Sequence, residues 1–285
     1  MKKAARITDD HTCPMVTGAT HVGGAITSGA KNVEIGGFKA ARLADQATCK
    51  GTQDVISQGA SSVLINGLPA ARVTDLTVHG GVIIGPGALS VLIGDPVFSI
   101  PSNFNITGLA DFQNKVIRDL YFISTLPSGK VLIERLESAG KTITFVELTG
   151  NNGYCSSNDD NAAQNGNGTG STIQYNPSYR SNAYDRLGNL LAQPSQVILA
   201  HEMCHALANS EGYKKSGKDI SPPTSEPSMD EEEAQAIGTG SHTGQTPSEN
   251  SIRSDLDLSA RDNHYGTGGP TTREPTPLNL RPGDP

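Results

Sequence analysis

The sequence predicts a multidomain chain: an all-β module of short strands, then an α+β domain built around one buried helix. Three observations carry this. The pattern Ala-Ala-Arg-x-x-Asp occurs three times, at 4–9, 40–45 and 70–75. No helical apolar period appears before residue 105, whereas Leu109, Phe112, Val116, Leu120 and Ile123 then recur three or four apart. Finally, "VILAHEMCHALAN" (197–209) is a mostly apolar run carrying two histidines one helical turn apart.

The repeat extends beyond its signature. Three units begin at His21, Cys49 and His79, and within them Gly29, Gly59 and Gly87 correspond, as do Val33, Val63 and Val91. Short alternating runs such as "NVEIGG" and "SVLING" read as strands, with glycines at the turns. The repeat also puts one metal-binding residue type at the head of each unit. A repeated geometry brings His21, Cys49 and His79 together, and His11 supplies a fourth donor, with Cys13 as its alternative. Three imidazoles and a thiolate make a tetrahedral zinc site closed by protein, which is a structural site.

With these stretches on the page, residues 1–95 resemble a PAAR-repeat domain; "DDHTCP", "THVGGAITSG", "ATCKG", "INGLPAARVTD" and "TVHGG" carry the likeness. The resemblance implies a small β cone with a zinc ion near its tip. It further implies docking of the base on the trimeric spike protein of a type VI secretion system, and export with a toxic domain attached.

Residues 96–108, rich in Pro and Asn, read as a linker. The domain assigned to 109–266 opens with the helix at 109–123, which "LPSG" ends. A second helix covers "GKVLIERLESAG", and strands fall in "KTITFVELTG" (141–150) and "TIQYNPS" (172–178). Between these strands "NNGYCSSNDDNAAQNGNGTGS" reads as a loop. Ser195 is the expected N-cap of the helix carrying 197–209. Residues 267–285, rich in Pro and Gly, read as a flexible tail.

On that helix His201 and His205 share a face. Their spacing lets two imidazole nitrogens reach one zinc, each at about 2.0–2.1 Å. Glu202, beside the first of them, can take a proton from a metal-activated water. A catalytic site needs a third ligand and an open position. The acidic helix "MDEEEAQAIG" (229–238) offers Glu233, with Glu232 one position round.

"LAHEMCHALANSEG", "EEEAQAIG" and "SENSIRSDLDLSARDNHYG" together resemble the NleD-like effector zinc peptidases, family M91. The chain keeps Glu249, Asn250, Arg253, Arg261 and Tyr265 of that family's pattern, with Ile252 in place of a leucine. The resemblance implies a zincin-like metallopeptidase fold. His201, His205 and Glu233 would be ligands, Glu202 the general base, and Tyr265 or His264 would steady the oxyanion.

The expected cofactors are thus two zinc ions, one catalytic and one structural. The formal net charge of −7, without a basic block, argues against nucleic acid as a partner. No apolar segment follows the N-terminal lysines and no run of 18 apolar residues occurs, so neither a signal peptide nor a stable membrane anchor is expected. The expected role is an antibacterial peptidase made in the bacterial cytoplasm and delivered by a type VI spike. Its partners are the spike protein, a protein substrate and an immunity protein. The alternative is a structural spike-tip protein whose C-terminal domain binds cargo without catalysis.

Overall fold

The computed structural model describes residues 1–17, 19–50, 52–94, 97–149, 153–178, 183–184, 190–217 and 230–262. Contacts divide the chain into two compact units. The first holds Met1–Ile100 and Gly108–Tyr121; the second holds Pro101–Thr107 and the described residues from Phe122 onward.

The first unit is largely β, and its repeat has a geometric cause. In each Ala-Ala-Arg-x-x-Asp segment the arginine grips the aspartate three residues on. The amides of Arg6, Arg42 and Arg72 donate to Asp9, Asp45 and Asp75 at 2.8, 2.8 and 2.9 Å, and each guanidinium bonds the same carboxylate. The grip spans a residue in the left-handed region each time: Thr8 at φ 72°, Ala44 at 67°, Thr74 at 75°. Such a conformation costs a β-carbon residue about 1–2 kcal/mol and persists only when its surroundings impose it.

The three segments close on one another. Ala41 N–H donates to Ala5 O, Ala71 N–H to Ala41 O, and Ala5 N–H to Ala71 O, each at 2.9 Å. Around this ring pack Ile26, Ile56 and Ile83, one from each unit of the repeat, and all are buried. A second cluster sets Ala4, Ala40 and Ala70 against Ala30, Ala60 and Ala88. Alanine dominates because the segments approach too closely for larger side chains. The Arg–Asp grips add to these alanine-rich clusters. Arg72 and Asp75 have fully buried side chains, and removing one partner of such a pair costs about 3–5 kcal/mol.

The stretch read as a linker instead carries strands. Val97–Ser99 pairs antiparallel with Gln58–Ile65. Phe104–Ile106 pairs parallel with Ile143–Glu147 in the second unit. The alternating apolar residues Phe104 and Ile106 override the local Pro and Asn signals, because both side chains are buried. Helix α1 (Ala110–Ser124) begins close to where its period predicts, and through Tyr121 it groups with the first unit.

The second unit is α+β. Its sheet runs Phe104–Ile106, Ile143–Glu147, Ser171–Tyr175, Gly153–Ser157; the last pairing is antiparallel and the others parallel. Helix α2 (Pro127–Ala139) starts on a proline and ends at Gly140 in the left-handed region. The expected loop after residue 150 is corrected: it contains the strand Gly153–Ser157 and helix α3 (Asp160–Gln164). Asp159 caps α3, accepting from the amides of Asn161 and Ala162. In the strand Cys155 faces inward and Tyr154 outward, an alternation hidden by the short, polar neighbours.

Helix α4 (Ser195–Glu211) is buried from Ser195 to Ser210, and Pro194, not Ser195, is its N-cap residue. It packs on the strands Gly153–Ser157 and Ser171–Tyr175 and on helices α2, α3, α5 (Glu231–Ile237) and α6 (Glu249–Asp255). Gly212 ends it at φ 78°, where a β-carbon would lie 2.6 Å from Gly166. Among the described residues no helix is long and apolar enough to cross a membrane.

Candidate metal centres and active site

Among the described residues two groups of metal-binding side chains converge, one in each unit. In the first unit these are Cys13, His21, Cys49 and His79, whose donor atoms all lie within 4.8 Å of one another. Cys13 Sγ is 3.5 Å from His79 Nδ1, and Cys49 Sγ is 3.3 Å from His21 Nδ1. Burial pushes the Cys49 thiol up to about 12, so a thiolate there needs a cation beside it. Two sulfurs and two imidazoles in a buried cluster are a zinc donor set.

The expectation of His11 in this set is corrected to Cys13. Both nitrogens of His11 are turned elsewhere: Nδ1 lies 2.8 Å from Gly24 O and Nε2 3.1 Å from Asp54 Oδ2. Burial opposes charge on His11, but Asp54 and the Gly24 carbonyl outweigh it and hold the imidazole above the usual histidine range. Asp54 also accepts from His79 N–H at 3.0 Å. The His11–Asp54 pair therefore braces the cluster from outside.

In the second unit the helical spacing of α4 brings His201 Nε2 and His205 Nε2 within 3.1 Å. Glu233, from the first turn of α5, places Oε2 at 3.2 and 3.5 Å from these nitrogens. His201 Nδ1 lies 2.9 Å from Glu249 Oε2. A proton at Nδ1 donated to that carboxylate leaves the Nε2 lone pair aimed at the cluster, the usual arrangement behind a metal-binding histidine. Glu232, the alternative third ligand, sits behind the site instead: its Oε1 is 3.4 Å from His205 Nδ1.

The field is that of a cation site. Burial works against charge on both imidazoles, yet the facing carboxylates outweigh it and raise His201 to about 9 and His205 to about 10. Two lone pairs and a carboxylate oxygen converging where positive charge is favoured fit zinc.

Glu202 is buried on the same helix, and desolvation raises its carboxyl above the usual range. Its arm lies against the edge strand: a β-carbon at Gly153 would be 2.7 Å from Glu202 Cγ and 2.9 Å from Oε1. Sequence spacing gave no role to Glu249, which lies 48 positions from His201. Its buried carboxylate is held by Arg261 Nη1 at 2.9 Å and Arg253 Nη1 at 3.4 Å. Although burial alone would raise it, these cations and His201 bring it down to about 2. His264 and Tyr265 lie outside the described residues, as does the tail 267–285.

The family profile Peptidase_M91, described as effector protein, matches residues 100–265. The chain belongs to the M91 peptidase family. Its His/His/Glu cluster matches a zinc-peptidase active site, and the four-donor cluster matches a structural zinc site. A second profile, the PAAR motif, matches residues 17–85. This M91 peptidase therefore carries an N-terminal PAAR-motif domain.

Solved structures similar to it include the light chain of botulinum neurotoxin serotype HA, 18% identical with a TM-score of 0.37, covering 52% of this chain and 48% of that one. The botulinum neurotoxin type D light chain is 17% identical with a TM-score of 0.38, covering 50% and 47%. The catalytic domain of Clostridium botulinum neurotoxin serotype F is 15% identical with a TM-score of 0.30, covering 38% and 39%. The chain spans about half the length of these light chains or less. A search of curated protein sequences finds no match.

Proposed function

We propose that this M91 peptidase is an antibacterial effector. In this reading its PAAR domain seats it as a conical tip on the trimeric spike of a type VI secretion system, and its second unit hydrolyses peptide bonds of a protein in the recipient cell. The observation that carries the catalytic part is the three-donor cluster of His201, His205 and Glu233 beside a buried carboxylate, Glu202. Three protein donors leave a coordination place for water or substrate. The quasi-threefold ring of the PAAR domain supports the delivery part, since it offers three similar faces to a trimeric partner.

When bound, zinc polarises the scissile carbonyl and makes its water acidic enough to lose a proton near neutral pH. The chain does the rest. His201, His205 and Glu233 would hold the ion. Glu202 accepts the proton of the attacking water as oxygen adds to the carbonyl carbon. It then returns that proton to the amide nitrogen as the C–N bond breaks. The missing side chain at Gly153 keeps room for its carboxylate. Tyr265 would donate to the developing oxyanion.

The test uses the full chain loaded with zinc and delivered into susceptible bacteria, with cleaved proteins identified by mass spectrometry of new termini. New termini that appear with the native chain and vanish with Glu202→Gln are expected. Growth inhibition that survives Glu202→Gln would overturn the catalytic reading.

A further inference from the structure

The two histidines of the M91 site are backed differently. Behind His201, Glu249 is wholly buried and held by two arginines. Behind His205, Glu232 is partly exposed, its side chain 28% accessible, on the wall of a cavity of about 350 Å³ that Glu233 also lines. A glutamate in that position can swing into solvent, or forward to join Glu233 in front of the histidines. Something must keep it behind His205.

Lys214 is placed to do so. Its Nζ lies 3.4 Å from Glu232 Oε2, while Oε1 of the same carboxylate faces His205 Nδ1. The ammonium is also 3.1 Å from Asp160 Oδ1, in the first turn of α3. Lys214 is anchored at both ends: its backbone N–H donates to Ala163 O at 2.9 Å, and its position follows directly from the Gly212 cap of α4. Its side chain is only 16% accessible. The carboxylate is thus fixed through both oxygens, one on an imidazole and one on an ammonium.

We infer that Lys214, anchored by Asp160, is a positioning residue of this site: it clamps Glu232 behind His205, fixes the proton of that imidazole on Nδ1, and so turns Nε2 toward the metal. The inference extends the peptidase reading, but its primary readout is metal binding. The role also accounts for why two adjacent glutamates of one helical turn act differently, Glu233 in front of the histidines and Glu232 behind them.

The experiment measures zinc affinity of the full chain by competition with a chromogenic chelator. The step belonging to the PAAR cluster serves as internal control, and the visible spectrum of the cobalt-substituted protein is a second readout. Lys214→Met, which keeps the apolar stem, is expected to weaken the peptidase-site step about 10- to 100-fold and to shift the cobalt bands. The PAAR step and the melting temperature of the metal-free protein should stay unchanged. Lys214→Arg should restore most of the affinity. Turnover, where measured, should fall in kcat more than it rises in KM.

An unchanged zinc constant and cobalt spectrum in Lys214→Met would overturn the clamp, whatever the turnover. Weakened zinc in Lys214→Met, together with a native chain that cleaves nothing, would leave the clamp standing and sink the peptidase reading. If Lys214→Met does not fold, Asp160→Asn carries the test at an exposed position. A smaller weakening in the same direction is expected, and no change in either readout overturns the inference.

Discussion

The two donor clusters use the same chemistry to opposite ends. In the PAAR domain four side chains from distant parts of a repeated fold meet, two sulfurs and two imidazoles. In the M91 unit three donors meet, two from one helix and one from the next, with a buried carboxylate alongside. A tetrahedral ion surrounded by four protein atoms has no place for a reactant, whereas one held by three does. The supports differ accordingly. The closed cluster is braced by a His–Asp pair and by backbone ladders among alanines. The open one is backed by glutamates, one facing Nδ1 of each histidine. One arrangement would enclose an ion, and the other would leave a place beside it.

The sharpest way to test that contrast is to remove the carboxylate proposed as the general base of the open site. Glu202→Gln should lower peptidase turnover by roughly 10²- to 10⁴-fold, the range for a lost general base. Zinc content by atomic emission should remain two per chain. Loss of an ion together with the activity would mean that Glu202 helps hold metal, and the contrast between holding and reacting would blur.

Next in size is the closed site. Cys49→Ala should lower the zinc content from two ions to one and remove the cooperative melting of the PAAR domain, because the binding energy of a structural zinc is folding energy, on the order of 10 kcal/mol. Glu202-dependent cleavage should persist. His205→Ala should also leave one zinc per chain, but with the PAAR transition intact and cleavage abolished. The two variants make a reciprocal pair, checked by calorimetry and metal analysis on the same samples.

A smaller effect is expected behind the open site. Glu249→Gln keeps the shape but removes the charge that orients His201. Zinc affinity should weaken about 10- to 100-fold, read by chelator competition. The variant should also lose stability, since Arg253 and Arg261 are left with a neutral partner in a buried place.

What the sequence displayed of all this follows the range of each interaction. The pairing of His201 with His205 is a property of one helical turn, so spacing alone exposes it. The threefold character of the PAAR domain was visible because Ala-Ala-Arg-x-x-Asp performs the same backbone task three times, at Thr8, Ala44 and Thr74. Glu249 behind His201 was present in the family pattern, but its task depends on a contact across 48 positions that no local period encodes. The strand at Gly153–Ser157 was hidden for a different reason. Its pairing with Ser171–Tyr175 supplies the order, while its own residues are small and polar. The strands at Val97–Ser99 and Phe104–Ile106 were masked in the same way by neighbouring prolines and asparagines. Lys214 carried no signal at all, because a lysine after a helix cap is ordinarily a solvated charge.

The choice between His11 and Cys13 turns on the smallest of these effects, and on a distinction two residues wide. Both are donor types and both precede the first repeat unit, so sequence register favours neither. The structure separates them by what each one faces: His11 turns Nδ1 to Gly24 O and Nε2 toward Asp54, whereas Cys13 points its sulfur at His79. Cys13→Ser should therefore lose most of the zinc affinity of the PAAR cluster. His11→Gln should keep two zinc ions per chain and lower stability by about 1–3 kcal/mol, the cost of leaving a buried polar partner poorly satisfied. Asp54 also lies 3.7 Å from His79 Nδ1, so a few-fold loosening of zinc in His11→Gln is compatible with a brace. The opposite pattern, zinc lost with His11→Gln and kept with Cys13→Ser, would return His11 to the ligand set and make Cys13 the bystander.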